Sequence, residues 1–111
     1  MTTYMITGKN NSKSWEGRIY NPRPGRGELL EKVWKTFNAK VVADYFTSGG
    51  TDFLIIVEVD NKIDGHALAH CMMASGMLSE DPIITELLTL DEYSKMLKRA
   101  SEVKYPAPWA K

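Results

Sequence analysis

Residues 44–60, DYFTSGGTDFLIIVEVD, are the stretch that most constrains the fold of this chain. Gly49 and Gly50 can adopt the positive φ angles of a tight turn, and extended apolar segments flank them, so the stretch predicts a β-hairpin. The second strand, residues 53–59, is apolar at both alternating sets of positions. A strand with one solvent-exposed face would alternate apolar and polar side chains, so both faces of this strand are predicted to be covered.

Periodicity and capping residues predict the other elements. Asn38 suits the left-handed end of a first helix, Asp60 or Asn61 the start of a second, and Gly76 its end. The sequence TLDE at 89–92 has the spacing of a capping box for a third helix. The predicted strands are 2–8, one that opens at 40, 53–59 and 83–89, and the predicted helices are 27–37, 61–75 and 89–102. The buried stripe of the second helix is predicted to consist of Ile63, Ala67, Leu68, Cys71 and Ala74.

The element order, β-α-β-β-α-β followed by a C-terminal helix, predicts an α+β fold of the ferredoxin-like type. In it, helices cover one face of a four-stranded antiparallel sheet. Leu54 and Ile56 then lie on the open face, although burying apolar area is favourable by about 25 cal/mol per Å². A second chain packed sheet against sheet supplies that burial, so we expect a homodimer or higher homo-oligomer. The extended tail, 103–111, carries Tyr105 and Trp109, which we expect to pack on the domain or on a neighbouring chain.

Composition and charge indicate the number of domains, the partners and the compartment of the protein. A chain of 111 residues with 43% hydrophobic and 25% charged residues is typical of a single domain, residues 1–111. The net charge is zero, but Lys and Arg exceed acidic residues eight to three in 1–40, whereas acidic residues exceed bases ten to one in 41–92. A general nucleic-acid binder is basic throughout, so no nucleic-acid partner is predicted. The single cysteine, Cys71, fits a reducing compartment.

Targeting and membrane signals give one further expectation. The first residues, MTTYMITGKNN, lack the basic segment and apolar run of a signal peptide. No stretch approaches the ~18 apolar residues of a membrane span. We therefore predict a cytoplasmic protein with no membrane partner.

Residues 9–27 are a long basic connection between the first strand and the first predicted helix, with room for a short helix around 15–19. Trp15, Arg18 and Tyr20 lie in it. One interpretation is a solvated loop with an aromatic anchor. The other is a clamp for an anionic ligand, because arginine suits carboxylate and phosphate groups.

Several segments resemble the GYD family of small dimeric α/β-barrel proteins. They are YMITG in the first strand, AKVVADYFTSGGTDFLIIVEVD at the hairpin, ALAHCMMASGML on the second helix and TELLTLDEY before the third. The family is named for the triplet Gly-Tyr-Asp, and this chain has Gly50-Thr51-Asp52 instead. The resemblance implies the ferredoxin-like fold and the dimer, but no settled activity. Related dimeric barrels include cofactor-independent monooxygenases, haem-handling enzymes and muconolactone-isomerase-like proteins.

His66 and His70 are the candidates for binding a metal or haem, because their four-residue spacing places both imidazoles on one helix face. A metal site needs at least a third ligand, and it needs side chains or backbone groups that hydrogen-bond the ligands and orient them. The sequence has no HExxH motif and no paired CxxC motif. No metal and no cofactor is therefore predicted. The alternative is that both histidines are partly exposed and hydrogen-bonded.

The remaining candidate ligand-binding residues are acidic or aromatic. Asp52 either accepts backbone N–H bonds near the turn or acts as a general base or ligand anchor at the rim of the barrel. Tyr4, Tyr20 and Tyr45 either donate hydrogen bonds into a cavity or are half-buried sheet residues with hydrated hydroxyls.

Three functional hypotheses stay open. The favoured one is an accessory or sensing module that binds a small organic ligand, with an anion among the candidates, between the sheet and the helices or inside the barrel. The second is a cofactor-independent monooxygenase or isomerase, in which Tyr, His and Asp groups transfer protons. The third is haem or metal binding through His66 and His70.

Overall fold

The computed structural model of the chain describes residues 1–22 and 28–108, with the side chains of residues 28 and 29 outside the description. In chain order, its elements are β1 (Thr2–Gly8), α1 (Ser12–Tyr20), α2 (Glu28–Thr36), β2 (Lys40–Phe46), β3 (Phe53–Val59), α3 (Lys62–Ala74), β4 (Ile83–Leu87) and α4 (Leu90–Ala100). All the predicted strands and helices are present. Helix α1 is the short helix for which the connection 9–27 has room around 15–19, and it is longer than expected. The last part of the connection lies outside the described residues. None of the described helices has the length and apolar composition that crossing a membrane requires.

The four strands form one sheet in the order β2-β3-β1-β4, and all neighbours are antiparallel. Helices α1 and α2 connect β1 to β2, and β3 lies between these two strands in the sheet. Helix α3 connects β3 to β4, and β1 lies between them. This α+β arrangement is compatible with the predicted ferredoxin-like fold. In the central pair, Tyr4 lies opposite Val57 and Ile6 lies opposite Ile55.

The core lies on one face of the sheet. Positions 53, 55, 57 and 59 of β3 are buried, as predicted for one of its faces, and Leu54 and Ile56 are half-buried on the open face. Cover for that second face by another chain stays a prediction. Trp34 of α2 and Leu68 of α3 pack against the buried set. Apolar burial on this face supplies most of the stabilisation that a domain of this size needs.

Helix α3 packs through a different stripe from the one predicted. Its buried residues are Gly65, Leu68 and Ala69. The ring of Tyr4 occupies the space where a Cβ of residue 65 would lie, so the helix turns its glycine towards the sheet. That rotation exposes three residues that were predicted to be buried, and the prediction is wrong for them: Ile63, Cys71 and Ala74.

The turns follow the sequence signals closely. Gly49 and Gly50 have φ angles of 86° and 78°, and Asn38 and Gly76 have φ angles of 49° and 76°. These positive angles confirm the hairpin turn and both predicted left-handed helix ends.

The two edge strands differ from the central pair. In β2 the register shifts between Val41 and Ala43, so that Val42 is an extra residue opposite β3 and half of its side chain is exposed. Such an insertion is a β-bulge, which bends an edge strand and increases its twist. The other edge, β4, has only five residues, begins directly after Pro82 and ends two residues earlier than predicted.

Helix α4 has a strongly amphipathic sequence but buries none of its residues. Tyr93, Met96 and Leu97 are each about half exposed along one stripe. Tyr105, in the tail, is 89% exposed, so the prediction that it packs on its own domain is wrong. Packing on a neighbouring chain stays a prediction, and Trp109 lies outside the described residues.

The predicted capping box at the start of α4 is present. The hydroxyl of Thr89 accepts from the N–H of Glu92, and the Glu92 carboxylate accepts from the N–H of Thr89. These hydrogen bonds hold the pKa of Glu92 below its usual value of 4.5. Because the pKa is lower in the folded state, the contribution of Glu92 is present above the unfolded pKa and is lost as the pH falls through the lower, folded value.

We therefore expect the first turn of α4 to fray as the pH falls below the usual carboxyl pKa of 4.5 and the carboxylate of Glu92 becomes protonated. The measurement is the pH dependence of the Thr89 amide resonance and its hydrogen exchange. Glu92→Gln keeps an acceptor at the same place without a titrating group, so it should remove the acid transition. An unchanged transition in that variant would contradict the assignment.

Candidate ligand-binding site

A cavity of about 670 Å³ lies between helices α1, α2 and α3 and the helix-covered face of the sheet. Its floor consists of apolar side chains from α2, β3, α3 and the segment after α3: Leu30, Val33, Phe53, Ile55, Leu68, Met72, Met77 and Leu78. One wall is polar and comes from α1 and the residues beside it: Asn10, Lys13, Ser14, Arg18 and Asn21. The size and the mainly apolar lining are those of small-molecule sites.

Three residues of the polar wall are spaced along α1 and its approach at the interval of one helical turn. Asn10, Ser14 and Arg18 are spaced by four residues, so their side chains share one face of the helix and its approach. This face borders the cavity, whereas Trp15 and Ile19 are exposed to solvent. A surface helix normally turns its apolar stripe towards the core, so α1 has inverted polarity. The inversion indicates that α1 covers a space with polar contents.

Asn10 is held at this wall by backbone contacts from three parts of the fold. Its N–H donates to Oδ2 of Asp52 at 2.7 Å, and the N–H of Asp52 donates to the carbonyl oxygen of Gly8 at 2.8 Å. Asn10 also forms an antiparallel bridge with Leu78, after α3. Strand β1, the hairpin and the segment after α3 together fix the position of Asn10.

Two side-chain atoms of the polar wall are buried without a hydrogen-bond partner among the described residues. They are Nδ2 of Asn10 and Oγ of Ser14, and the whole residue Asn10 is only 7% exposed. Nearly all buried polar groups in proteins are hydrogen-bonded, because leaving one unpaired costs about 1–3 kcal/mol. These two atoms therefore mark a place suited to receive a polar group of a bound molecule.

Arg18 gives the polar wall its charge. Its guanidinium carbon lies 4.8 Å from the ring centroid of Phe46 on β2, within the range of a cation–π contact. Lys13 is a second cation at the cavity, and no Asp or Glu is among the described lining residues. The lining side chains of the wall are therefore neutral or cationic, while the Asp52 carboxylate lies behind Asn10.

Tyr4 and the two histidines lie outside the lining of the cavity. Tyr4 is buried in the core, and its ring meets the ring of His66 edge to face, with centroids 5.7 Å apart. Burial raises the pKa of the Tyr4 hydroxyl, and the nearby Glu86 carboxylate raises it further. His70 is exposed, and its Nδ1 donates to the carbonyl oxygen of His66 at 2.7 Å. The structure thus gives each histidine a contact within the chain.

The other candidates are dispersed, except for Arg18, which lines the cavity. Trp15, Tyr20 and Tyr45 are exposed by 40%, 81% and 64%. Asp52 lies behind Asn10 and accepts a backbone N–H bond, as its structural interpretation expects. In the described part of the chain, no three His, Cys, Asp or Glu side chains are grouped so that they could hold a metal ion.

Asn10 and Ser14 are the lining residues that motif reasoning missed. The segment NNSKSWEGR carries a signal for them, because polar residues recur at positions 10, 14 and 18 next to aromatic and aliphatic residues at 15 and 19. Helical periodicity applied to this segment would have placed these three residues on one face. It could not have shown which face is buried, since that depends on contacts with β2, β3 and α3.

No protein-family model matches the chain, and no match is found among the curated proteins. Functional inference for this chain therefore starts from the cavity.

Proposed function

We propose that this chain is an accessory or sensing module that binds a small organic ligand in the cavity between α1, α2, α3 and the sheet. The observation that carries the proposal is the cavity itself, which combines about 670 Å³ of space with an apolar floor and one polar wall. Small-molecule sites share this combination, in which apolar contacts give affinity and a few polar groups orient the ligand.

Binding is favoured over proton-transfer catalysis by the chemistry of the lining. A monooxygenase or isomerase of the barrel type would need Tyr, His or Asp groups within reach of its substrate. The described residues that line the cavity include no tyrosine, histidine, Asp or Glu side chain. The polar side-chain groups of the described lining are two amides, two hydroxyls, one thiol and two cations, and they are suited to holding a ligand in place.

We also propose that the protein acts as a homodimer of GYD-like domains packed through the open faces of their sheets. The resemblance of the hairpin to the GYD family and the strand order β2-β3-β1-β4 both support this assembly. The open face offers apolar side chains without a covering helix, above all Met5, Leu54 and Ile56. The two cavities would then lie on the outer, helix-covered sides of the dimer.

The test of ligand binding is a thermal-shift screen with a library of small organic acids, amides, alcohols and aromatic compounds. A ligand present at 100 times its Kd stabilises the folded state by about 2.7 kcal/mol, which raises Tm by several degrees. We expect at least one chemical class to produce such a shift.

A pair of neighbouring methionines provides the matched control. Met72 lines the cavity, whereas Met73 is 41% exposed and is not part of its lining. Met72→Trp should fill the cavity and weaken ligand binding by 10-fold or more, and Met73→Trp should leave the affinity unchanged. No shift with any compound, or an equal loss of affinity in both variants, would count against the cavity as the binding site.

A further inference from the structure

We propose that the cavity is built for a monocarboxylate with an apolar body, whose carboxylate is received by Asn10 and Ser14 beside Arg18. This inference rests on the proposed function and names the class of ligand. It starts from the two buried atoms that lack a partner, Nδ2 of Asn10 and Oγ of Ser14. The amide nitrogen can only donate a hydrogen bond, and the hydroxyl can donate or accept. The group that satisfies both must therefore present acceptor atoms.

The charge of the wall decides between a neutral acceptor and an anion. Lys13 and Arg18 bring positive charge to the wall, and the carboxylate of Asp52 lies behind Asn10, bonded to its backbone N–H, without lining the cavity. Ser14 lies in the first turn of α1, where the helix dipole also favours negative charge. A ligand cation would meet two positive side chains there, and a neutral carbonyl would gain less than an anion from hydrogen bonds assisted by charge.

The shape of Arg18 favours a planar anion. Its guanidinium carbon lies 4.8 Å from the centroid of the Phe46 ring, so the aromatic side chain helps to hold the cation in place beside the wall. A guanidinium group matches the two oxygens of a carboxylate in geometry. With a carboxylate bound, Asn10 and Ser14 donate the hydrogen bonds, and Arg18 adds positive charge beside them. A phosphate monoester would bring a further oxygen and more negative charge than these few donors neutralise.

The lining of the rest of the cavity determines the chemistry of the ligand beyond its carboxylate. Opposite the polar wall, the floor is formed by side chains such as Leu30, Phe53, Leu68 and Met72. Cys71 and Ser75 also line the cavity, and the Ser75 hydroxyl already donates to the carbonyl oxygen of Met72. A second polar group on the ligand would therefore find few partners there, and its desolvation is unfavourable. The ligand is therefore expected to carry one carboxylate and a hydrocarbon body, either aliphatic or aromatic.

The experiment compares head groups on one apolar body. Binding of hexanoate, hexanamide, hexanol, hexylamine and hexyl phosphate to the full chain is measured by calorimetry, and 3-phenylpropanoate and 3-phenylpropanol repeat the comparison with an aromatic body. We expect each carboxylate to bind at least 10-fold more tightly than the probes with other heads. If amide, alcohol, amine or phosphate probes bind equally well or better, the carboxylate assignment is wrong and the cavity is still a ligand site. If no probe binds and the library screen also fails, both proposals fail.

Two variants locate the head group. Asn10→Asp keeps the shape of the side chain but places an acceptor and a negative charge where a donor stood. It should weaken hexanoate binding by about 10- to 100-fold, as expected for the loss of a hydrogen bond to a charged group. Ser94→Asp adds the same charge on α4, away from the cavity, and should leave the affinity unchanged. Equal affinities in Asn10→Asp and the unmodified chain would overturn the placement of the carboxylate.

Ser14→Ala tests the same placement without adding charge, in case Asn10→Asp folds poorly next to Asp52. The substitution removes a buried hydroxyl that lacks a partner, so the ligand-free protein should have an unchanged or higher Tm. The same substitution should weaken hexanoate binding by about 10-fold, because the bound carboxylate loses a donor. A merely structural serine would give the opposite result, a lower Tm with unchanged affinity, and that outcome would contradict the proposal.

Discussion

Gly65→Ala is expected to destabilise the fold by about 2 kcal/mol and to lower Tm by roughly 10 °C. A Cβ at this position would lie 2.6 Å from Cδ2 of Tyr4, closer than side chains normally approach one another. Tyr4 is only 2% exposed and cannot move away without disturbing the core. Overpacking of this kind costs about 1–3 kcal/mol, or more at the tightest contacts, whereas exchanging glycine for alanine within a helix gains about 1 kcal/mol. The clash therefore outweighs the gain in helix propensity.

Gly17→Ala is the matched control for this prediction. Gly17 lies within α1, and a Cβ there would meet no atom within 4 Å. That substitution should raise the free energy of unfolding by up to about 1 kcal/mol. The free energies of unfolding of the two variants are compared by urea denaturation. An unchanged slope of that free energy against urea concentration checks that unfolding is still two-state. A Gly65→Ala variant as stable as the unmodified chain would mean that α3 does not pack closely on Tyr4.

Ile56→Lys is expected to convert the proposed dimer into a monomer. Ile56 is in the middle of the open face, between Met5 on β1 and Ala43 on β2. A lysine at the centre of a packed interface loses apolar contact and must bury an unpaired charge, which in hot-spot positions weakens association 30-fold or more. Because the side chain faces away from the helices, the substitution should leave the fold of the single chain intact. The measurement is the molar mass by light scattering or sedimentation across a concentration series.

Thr36→Lys, which adds the same charge to the exposed end of α2, is the control for Ile56→Lys and should leave the mass unchanged. A chain that is monomeric before any substitution would refute the proposed dimer. Equal masses for Ile56→Lys and the unmodified chain would refute the open face as the interface.

The area of the open face suggests that α4 contributes to the same assembly. Four strands about 4.8 Å apart and about six residues long present a face of roughly 400 Å², given the usual rise per residue. Stable interfaces bury about 800 Å² on each partner. The stripe of Tyr93, Met96 and Leu97 is the next apolar surface that the chain offers, and no residue of α4 is buried within its own chain. Contact of this stripe with the partner would supply much of the missing area.

The hairpin and the helix caps could be predicted because their signals are local. Gly49 and Gly50 require no distant partner to favour a turn, and the Thr89–Glu92 capping box is complete within four residues. The same is true of strand β3, whose apolar run predicts burial wherever the strand is placed. For these elements, local preferences and tertiary contacts agree.

The packing of α3 and the contents of the cavity could not be predicted in this way. Cys71 fits an apolar stripe by periodicity, but the ring of Tyr4 selects Gly65 for the contact and leaves Cys71 exposed. Likewise, Nδ2 of Asn10 has no hydrogen-bond partner among the described residues, at a place that the bond from the Asn10 backbone N–H to Asp52 helps to fix. Both features depend on residues that are remote in sequence, so periodicity could group the polar residues of α1 but could not show which face is buried.

The two edge strands of the sheet disfavour assembly by strand addition from another chain. The bulge at Val42 twists β2 out of line, and β4 presents only five residues behind Pro82. Neither edge is a long, flat template on which another chain could add a strand. The proposed dimer, in which two copies meet face to face around a two-fold axis, therefore does not compete with pairing through the edge strands. Endless strand-on-strand growth into fibres is disfavoured.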